Sequence, residues 1–262
     1  MAEFSDAALI LAGHGSTVNG DSSRPAWEQA ERIKAMGHFA EVHVGLWKEQ
    51  PSFREALAAV RARKVYIVPL FTAEGYFTNE ILPREFGLEG RVTSRQGREI
   101  VYCDPIGGHP YMLEALLKSA QAVLAGTPVD PATTCLLVAG HGTPRNPNSK
   151  AVVMDVVGRL RALGLYGDCQ GAFMEEAPFL KDWPVLTDCR QVVVVPYFIS
   201  DGLHSFEDIP VMLGISANVR EEGFRNPTHL HGRRIWYARA LGGEPRLAEV
   251  VLALVRDAAR CT

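Results

Sequence analysis

Three side chains in the second half of this 262-residue chain, His141, Glu175 and His204, are of the types that chemistry needs. Each follows a stretch that reads as a buried parallel strand, and ligand sites in open α/β sheets lie at the carboxyl ends of such strands. The three loops are therefore expected to converge on one edge of a sheet. Two imidazoles and one carboxylate suit a divalent first-row metal held with open positions. A neutral histidine, with an ordinary pKa of about 6.5, can bind such an ion or accept a proton. A carboxylate neutralises charge and can pass protons outward. His141 lies in Gly140-His141-Gly142-Thr143, where the glycines permit a left-handed turn and close approach to the backbone. His204 lies in the stretch Val192–Pro210, where four consecutive valines run through proline into a polar loop. Such an unbroken valine run marks a strand covered on both faces.

The elements that must carry these residues occur twice. Val65–Pro83 matches Val192–Pro210 at an offset of 127 residues: Pro69 with Pro196, Phe71 with Phe198, Gly75 with Gly202, Glu80 with Glu207. The same offset relates His14 to His141 and Trp47–Pro51 to Met174–Pro178. Further on the offset becomes 135, pairing Gly97 with Gly232, Ile100 with Ile235 and Tyr102 with Tyr237. The second copy thus carries about eight extra residues between Gly214 and Gly232. A gapless register this long signals duplication. Within the first copy, Ala8–Ala12, Glu41–Leu46, Val65–Pro69 and Glu99–Cys103 read as strands. Trp27–Ala35, Pro51–Arg61 (with proline opening the helix) and Pro110–Leu124 read as helices. Alternating strand and helix predicts α/β architecture: two duplicated, doubly wound parallel-sheet domains, 1–126 and 127–262, joined near the Gly- and Pro-containing Ala125–Pro131.

The copies differ where chemistry would sit. The first offers His14, Lys48 and Phe77 against His141, Glu175 and His204. One working site in the second copy and one degenerate scaffold copy account for this economically.

Composition excludes several classes. A formal net charge of -3 gives no reason to expect nucleic acid or an anionic membrane surface. No apolar run approaches the roughly 20 residues of a membrane span. The start, MAEFSDAALILAGHGS, reads as a first strand rather than a secretory leader, so a cytoplasmic protein is expected. Five cysteines without CxxC spacing suggest buried or incidental thiols. Walker-type, GxGxxG and GxSxG motifs are missing, so ATP, dinucleotide and hydrolase chemistry lack their usual cradles.

Gly140-His141-Gly142-Thr143 after a first strand, Phe173-Met174-Glu175 ahead of Pro178, and Gly202-Leu203-His204 after the valine strand together resemble the class II chelatases. That family comprises the long CbiX-type sirohydrochlorin cobaltochelatases, with anaerobic cobaltochelatases and protoporphyrin ferrochelatases. The resemblance spans nearly the whole chain. It implies two similar domains facing a cleft, a tetrapyrrole between them, and ATP-independent insertion of Co²⁺ or Fe²⁺ in cobalamin or siroheme biosynthesis. It also implies no cofactor beyond the substrate metal. His141 and His204 match the metal-handling histidines and Glu175 the acidic residue, with Glu176 adjacent in register. His141 is expected as base and ligand, His204 as second ligand, and Glu175 as ligand or proton relay. The rival reading is a non-catalytic carrier of metal or tetrapyrrole. A monomer or weak homo-oligomer is expected.

A carboxylate-rich tetrapyrrole needs cationic and hydroxyl partners, for which His14, Arg145, Asn146, Ser149, Ser200 and Ser205 are candidates. Glu207 and Asp208 are candidates for orienting His204, although Glu80 repeats Glu207 in the degenerate copy. His229 and His231 on one strand face form a candidate accessory metal pair, against a solvent-facing edge. Trp47, Phe71, Tyr76 and Phe77 offer an aromatic wall or ordinary core packing.

Overall fold

A computed structural model describes residues 3–18, 20–215 and 225–261. The first sheet contains β1 (Phe4–Gly13), β2 (Phe39–Leu46), β3 (Lys64–Pro69), β4 (Val92–Arg95) and β5 (Arg98–Tyr102), in the order β2-β1-β3-β5-β4. The second contains β6 (Thr134–Gly140), β7 (Asp168–Phe173), β8 (Gln191–Pro196), β9 (Thr228–Leu230) and β10 (Arg233–Tyr237), in the order β7-β6-β8-β10-β9. Register repeats with order: Ala8 lies opposite Val65 as Cys135 lies opposite Val192, and Ile67 opposite Tyr102 as Val194 opposite Tyr237. Four strands of each sheet are parallel, as expected. The fifth is antiparallel, β4 on β5 and β9 on β10. These edge strands are short and polar, so they lack the apolar run that marks the central ones.

The valine strand behaves as its composition demands, with Val192 to Val195 fully buried. Helices α1 (Arg24–Met36), α2 (Phe53–Ala59), α3 (Leu82–Phe86), α4 (Met112–Leu124), α5 (Asn148–Leu163), α6 (Ile209–Leu213) and α7 (Leu247–Arg260) accompany the sheets. In α2 the capping residue is Ser52, whose hydroxyl and the Glu55 side chain form a reciprocal capping box. Pro51 therefore precedes the cap rather than opening the helix.

The chain packs as two compact units, Met1–Met112 with Pro245–Thr262, and Leu113–Glu244. The boundary expected at 126/127 ends the repeat, but the packing divides the chain elsewhere. Helix α4 belongs to the second unit and α7 to the first. In the first unit Arg256 of α7 pairs with Glu3 at 2.8 Å, and Asp257 stands 3.7 Å from His109. The apolar face Leu247, Val250, Val251, Leu254, Val255 and Ala258 is buried. Among the described residues no helix is long and apolar enough to cross a membrane.

Candidate metal-handling site

Strands β7, β6 and β8 are neighbours in the second sheet, so the loops that follow them emerge side by side. His141 follows β6, Glu175 follows β7, and the segment after β8 leads to His204. Backbone bonds fix the first two: the N–H groups of Met174 and Glu175 both donate to the His141 carbonyl, at 3.0 and 3.1 Å. Gly142 must be glycine. Its φ is +66°, and a Cβ there would lie 2.7 Å from Phe173 Cβ.

Glu176 closes the loop. Its Oε1 accepts the Thr143 N–H at 2.7 Å, and its Oε2 lies 3.7 Å from Lys150 Nζ. The first repeat does the same with Glu49, which accepts from Ser16 N–H at 2.6 Å and from the Ser23 hydroxyl at 2.7 Å. The two adjacent carboxylates, Glu175 and Glu176, thus differ in geometry. Glu176 is committed to the loop, whereas Glu175 is exposed with Oε1 3.8 Å from His141 Nε2.

His204 opens a π-helical turn, His204–Asp208, that runs into α6. The polar loop expected after the valine strand runs to Gly202, and His204 itself lies on the helical turn that follows it. Within the turn the Ile209 N–H donates to the His204 carbonyl, a five-residue step. The next such step would need an N–H from residue 210, which is proline. The orphaned Ser205 carbonyl instead accepts the buried Tyr237 hydroxyl at 2.7 Å. Burial holds the Tyr237 phenol well above its ordinary pKa, so it stays a donor. The first repeat has the same device, with Pro83 and the Tyr102 hydroxyl donating to Thr78 at 2.7 Å. The π turn belongs to the duplicated scaffold; the histidine on it belongs to the second copy alone.

Both imidazoles are poised alike. His141 Nδ1 lies 2.7 Å from the Gly142 carbonyl, and His204 Nδ1 lies 2.6 Å from Asp208 Oδ2. Carbonyl and carboxylate oxygens only accept, so each Nδ1 carries the hydrogen and each neutral ring keeps its lone pair on Nε2. The rings meet edge to face with centroids 5.2 Å apart, and Phe198 contacts both, at 6.4 and 6.0 Å. Asp208, rather than Glu207, is the partner of His204. Its counterpart in the first repeat is the buried Ile81, a difference visible in the repeat alignment once i, i+4 pairing from His204 is considered. Among the described residues no three His, Cys, Asp or Glu side chains stand close enough together to enclose a metal ion. The arrangement sets two imidazole rings side by side with one exposed carboxylate 3.8 Å from His141 Nε2.

The first repeat lacks this chemistry. His14 has the same Nδ1 contact, 2.8 Å to the Gly15 carbonyl, but its ring meets Phe77 at 4.9 Å where His141 meets His204. Phe77 also packs against Trp47 and Phe71, and Lys48 Nζ sits 5.6 Å over the Trp47 ring.

Other expectations fare unevenly. Ser205 is buried and donates its hydroxyl to the Ser200 carbonyl at 3.2 Å, so it is unavailable to a substrate. Arg145 is exposed, with its backbone N–H turned to the Thr143 hydroxyl at 3.3 Å; Ser200 is half-buried. His229 and His231 do not share a strand face. His229 lies on β9, whereas His231 is in the turn, with φ +50°, and packs on Trp183. Part of the inserted segment, 216–224, lies outside the described residues. Cys103, Cys135 and Cys169 are buried free thiols, as expected.

The CbiX family model matches this chain twice, over residues 8–123 and 135–258. A probable sirohydrochlorin cobaltochelatase of Halobacterium salinarum is 39% identical over 96% of this chain and 91% of its own length. The sirohydrochlorin cobaltochelatase of Methanopyrus kandleri is 29% identical over 47% of this chain and 95% of its own, about one repeat. Among solved structures, DR2241 of Deinococcus radiodurans, which has structural similarity to chelatases, superposes with TM-score 0.81 at 30% identity, over 95% of this chain and 54% of that one. SirB from Bacillus subtilis with Fe³⁺ shares the fold, with TM-score 0.74 at 19% identity over 97% and 95% of the two chains. With two family matches, one on each copy of the duplicated sheet, this chain belongs to the CbiX family.

Proposed function

We propose that this chain is a sirohydrochlorin chelatase that inserts Co²⁺, or else Fe²⁺, into the macrocycle without ATP. The observation carrying this reading is the His141–His204 pair, with both Nδ1 hydrogens spent on oxygen acceptors and both Nε2 lone pairs left for an ion or a proton. Insertion exchanges one divalent ion for the two pyrrole N–H protons of the free macrocycle, so the site must hold the ion and remove protons. His141 and His204 serve as ion ligands and proton acceptors through Nε2. Glu175, exposed beside His141 Nε2, neutralises the ion's charge and carries protons outward. Asp208 holds the His204 ring in its tautomer, a positioning role. Arg145, Asn146, Ser149 and Ser200 are the remaining candidates for substrate carboxylates, and His14 of the first unit is a separate candidate for contacting substrate.

The test is an anaerobic absorbance assay of sirohydrochlorin with Co²⁺ and, separately, Fe²⁺. Repeated turnover that is lost in His141→Ala and in His204→Ala but retained in His14→Ala supports the reading. A spectral change limited to one equivalent of protein would instead identify a carrier.

A further inference from the structure

The first unit contains a second feature unrelated to the histidines. A cavity of about 440 Å³ opens between the ends of α2 and α3 and the β4–β5 turn. This volume is of the order that holds small ligands, roughly 300–1,000 Å³. Strand β5 begins here at Arg98, so the cavity lies at the amino-terminal end of that strand, away from the loops that carry His14 and Lys48. Its walls include four guanidinium groups, Arg54, Arg84, Arg95 and Arg98, and one carboxylate, Glu85. The lining therefore has an excess of three positive charges over an apolar floor that includes Phe86 and Ile100.

The arginines are arranged rather than scattered. Glu85, with 15% of its side chain exposed, binds Arg54 at 3.0 Å and Arg84 at 3.2 Å, holding both at the rim. Arg98 donates to the Leu57 and Val60 carbonyls, fixing its plane and leaving further N–H donors on the same fork. Arg95 folds over Gly87, where a Cβ would collide with its guanidinium.

The duplication provides an internal control. At matching positions the second repeat has Val211 for Arg84, Met212 for Glu85 and Leu230 for Arg95. It keeps Arg98 as Arg233, but stacks that guanidinium on Trp183, the counterpart of Ala56. The same helix and hairpin therefore form without Arg84, Glu85 or Arg95, and folding does not require them. A cleft lined by one sign of charge focuses the field and raises the local concentration of ligands of opposite charge.

We propose that this cavity binds a compact ligand carrying two or more anionic oxygen groups, phosphate or carboxylate, at a site separate from the metal-handling histidines. Planar guanidinium forks suit both kinds of oxyanion.

The experiment is isothermal titration of the full chain with pyrophosphate and, separately, with citrate, at low and high salt. Comparison is with the double variant Arg84→Val/Arg95→Leu, which carries the second repeat's own residues, and with His141→Ala. Each guanidinium lost is expected to weaken binding about tenfold or more. Binding should fall with salt and persist in His141→Ala. The double variant should keep its melting temperature and its chelatase turnover. Binding of pyrophosphate alone assigns a phosphate ligand, of citrate alone a carboxylate ligand, and of both the shared chemistry. Failure of wild type to bind either anion, or undiminished binding by the double variant, would overturn the proposal. Neither result bears on the histidine site.

Discussion

The paired tyrosines allow structure and chemistry to be separated in one experiment. Tyr237→Phe removes the hydroxyl that satisfies the Ser205 carbonyl, which Pro210 cannot serve, one residue after His204. Tyr102→Phe removes the same bond, of the same 2.7 Å length, from Thr78, one residue after Phe77. Leaving a buried carbonyl unsatisfied costs about 1–3 kcal/mol. For a chain of this size each kcal/mol lowers the melting temperature by about 2–4 °C, so a fall of roughly 4–8 °C is expected at the middle of that range, similar in both variants. Activity should diverge. Without its anchor the π turn no longer holds the His204 ring beside His141, and displacements of about 1 Å can cost about 100-fold in rate. Tyr237→Phe should therefore lose turnover well below its melting temperature, whereas Tyr102→Phe retains it. Calorimetry and the anaerobic insertion assay measure the two effects on the same samples. Equal activity in both variants, or an unchanged melting temperature in either, would refute the reasoning.

Two further predictions concern the carboxylates and the buried acids. Glu175→Ala should lose chelatase activity with a stability change within about 0.5 kcal/mol, because its side chain is exposed. Glu176→Ala should lose about 1–3 kcal/mol, because the Thr143 N–H loses its acceptor; denaturant titration of both variants checks the assignment, and the reverse pattern would exchange the two roles. Burial pushes Cys169 up to about 11 and raises Cys103, Cys135, Tyr102 and Tyr197 further. In the unfolded chain thiols ionise near about 8.5 and phenols near about 10, so above these values the unfolded state holds fewer protons than the native one. Stability is then fully present at neutral pH and declines progressively above about pH 8.5. Urea midpoints unchanged up to about pH 10.5 would contradict this.

Much of this protein was determined by sequence alone. An unbroken apolar run reads as a strand covered on both faces, so the central strands and their parallel orientation follow from composition and spacing, whereas their order in the sheet does not. The 127-residue offset carried the duplication, and the replacement of Glu175 and His204 by Lys48 and Phe77 pointed to the second copy. Hydrophobic periodicity is a local property and is legible locally. Tertiary structure decided what depends on partners distant in sequence. The role of Glu176 rests on a backbone N–H 33 residues away, and the π turn under His204 depends on a tyrosine 32 residues beyond Ser205. The burial of Ser205, the turn geometry of His231 and the antiparallel edge strands have no signature in apolar spacing. Helix α7 joins the first unit although it ends the second repeat, because its apolar face carries no address of its own. Side-chain types and spacing specify which elements form; only the assembled sheet determines which donor meets which acceptor.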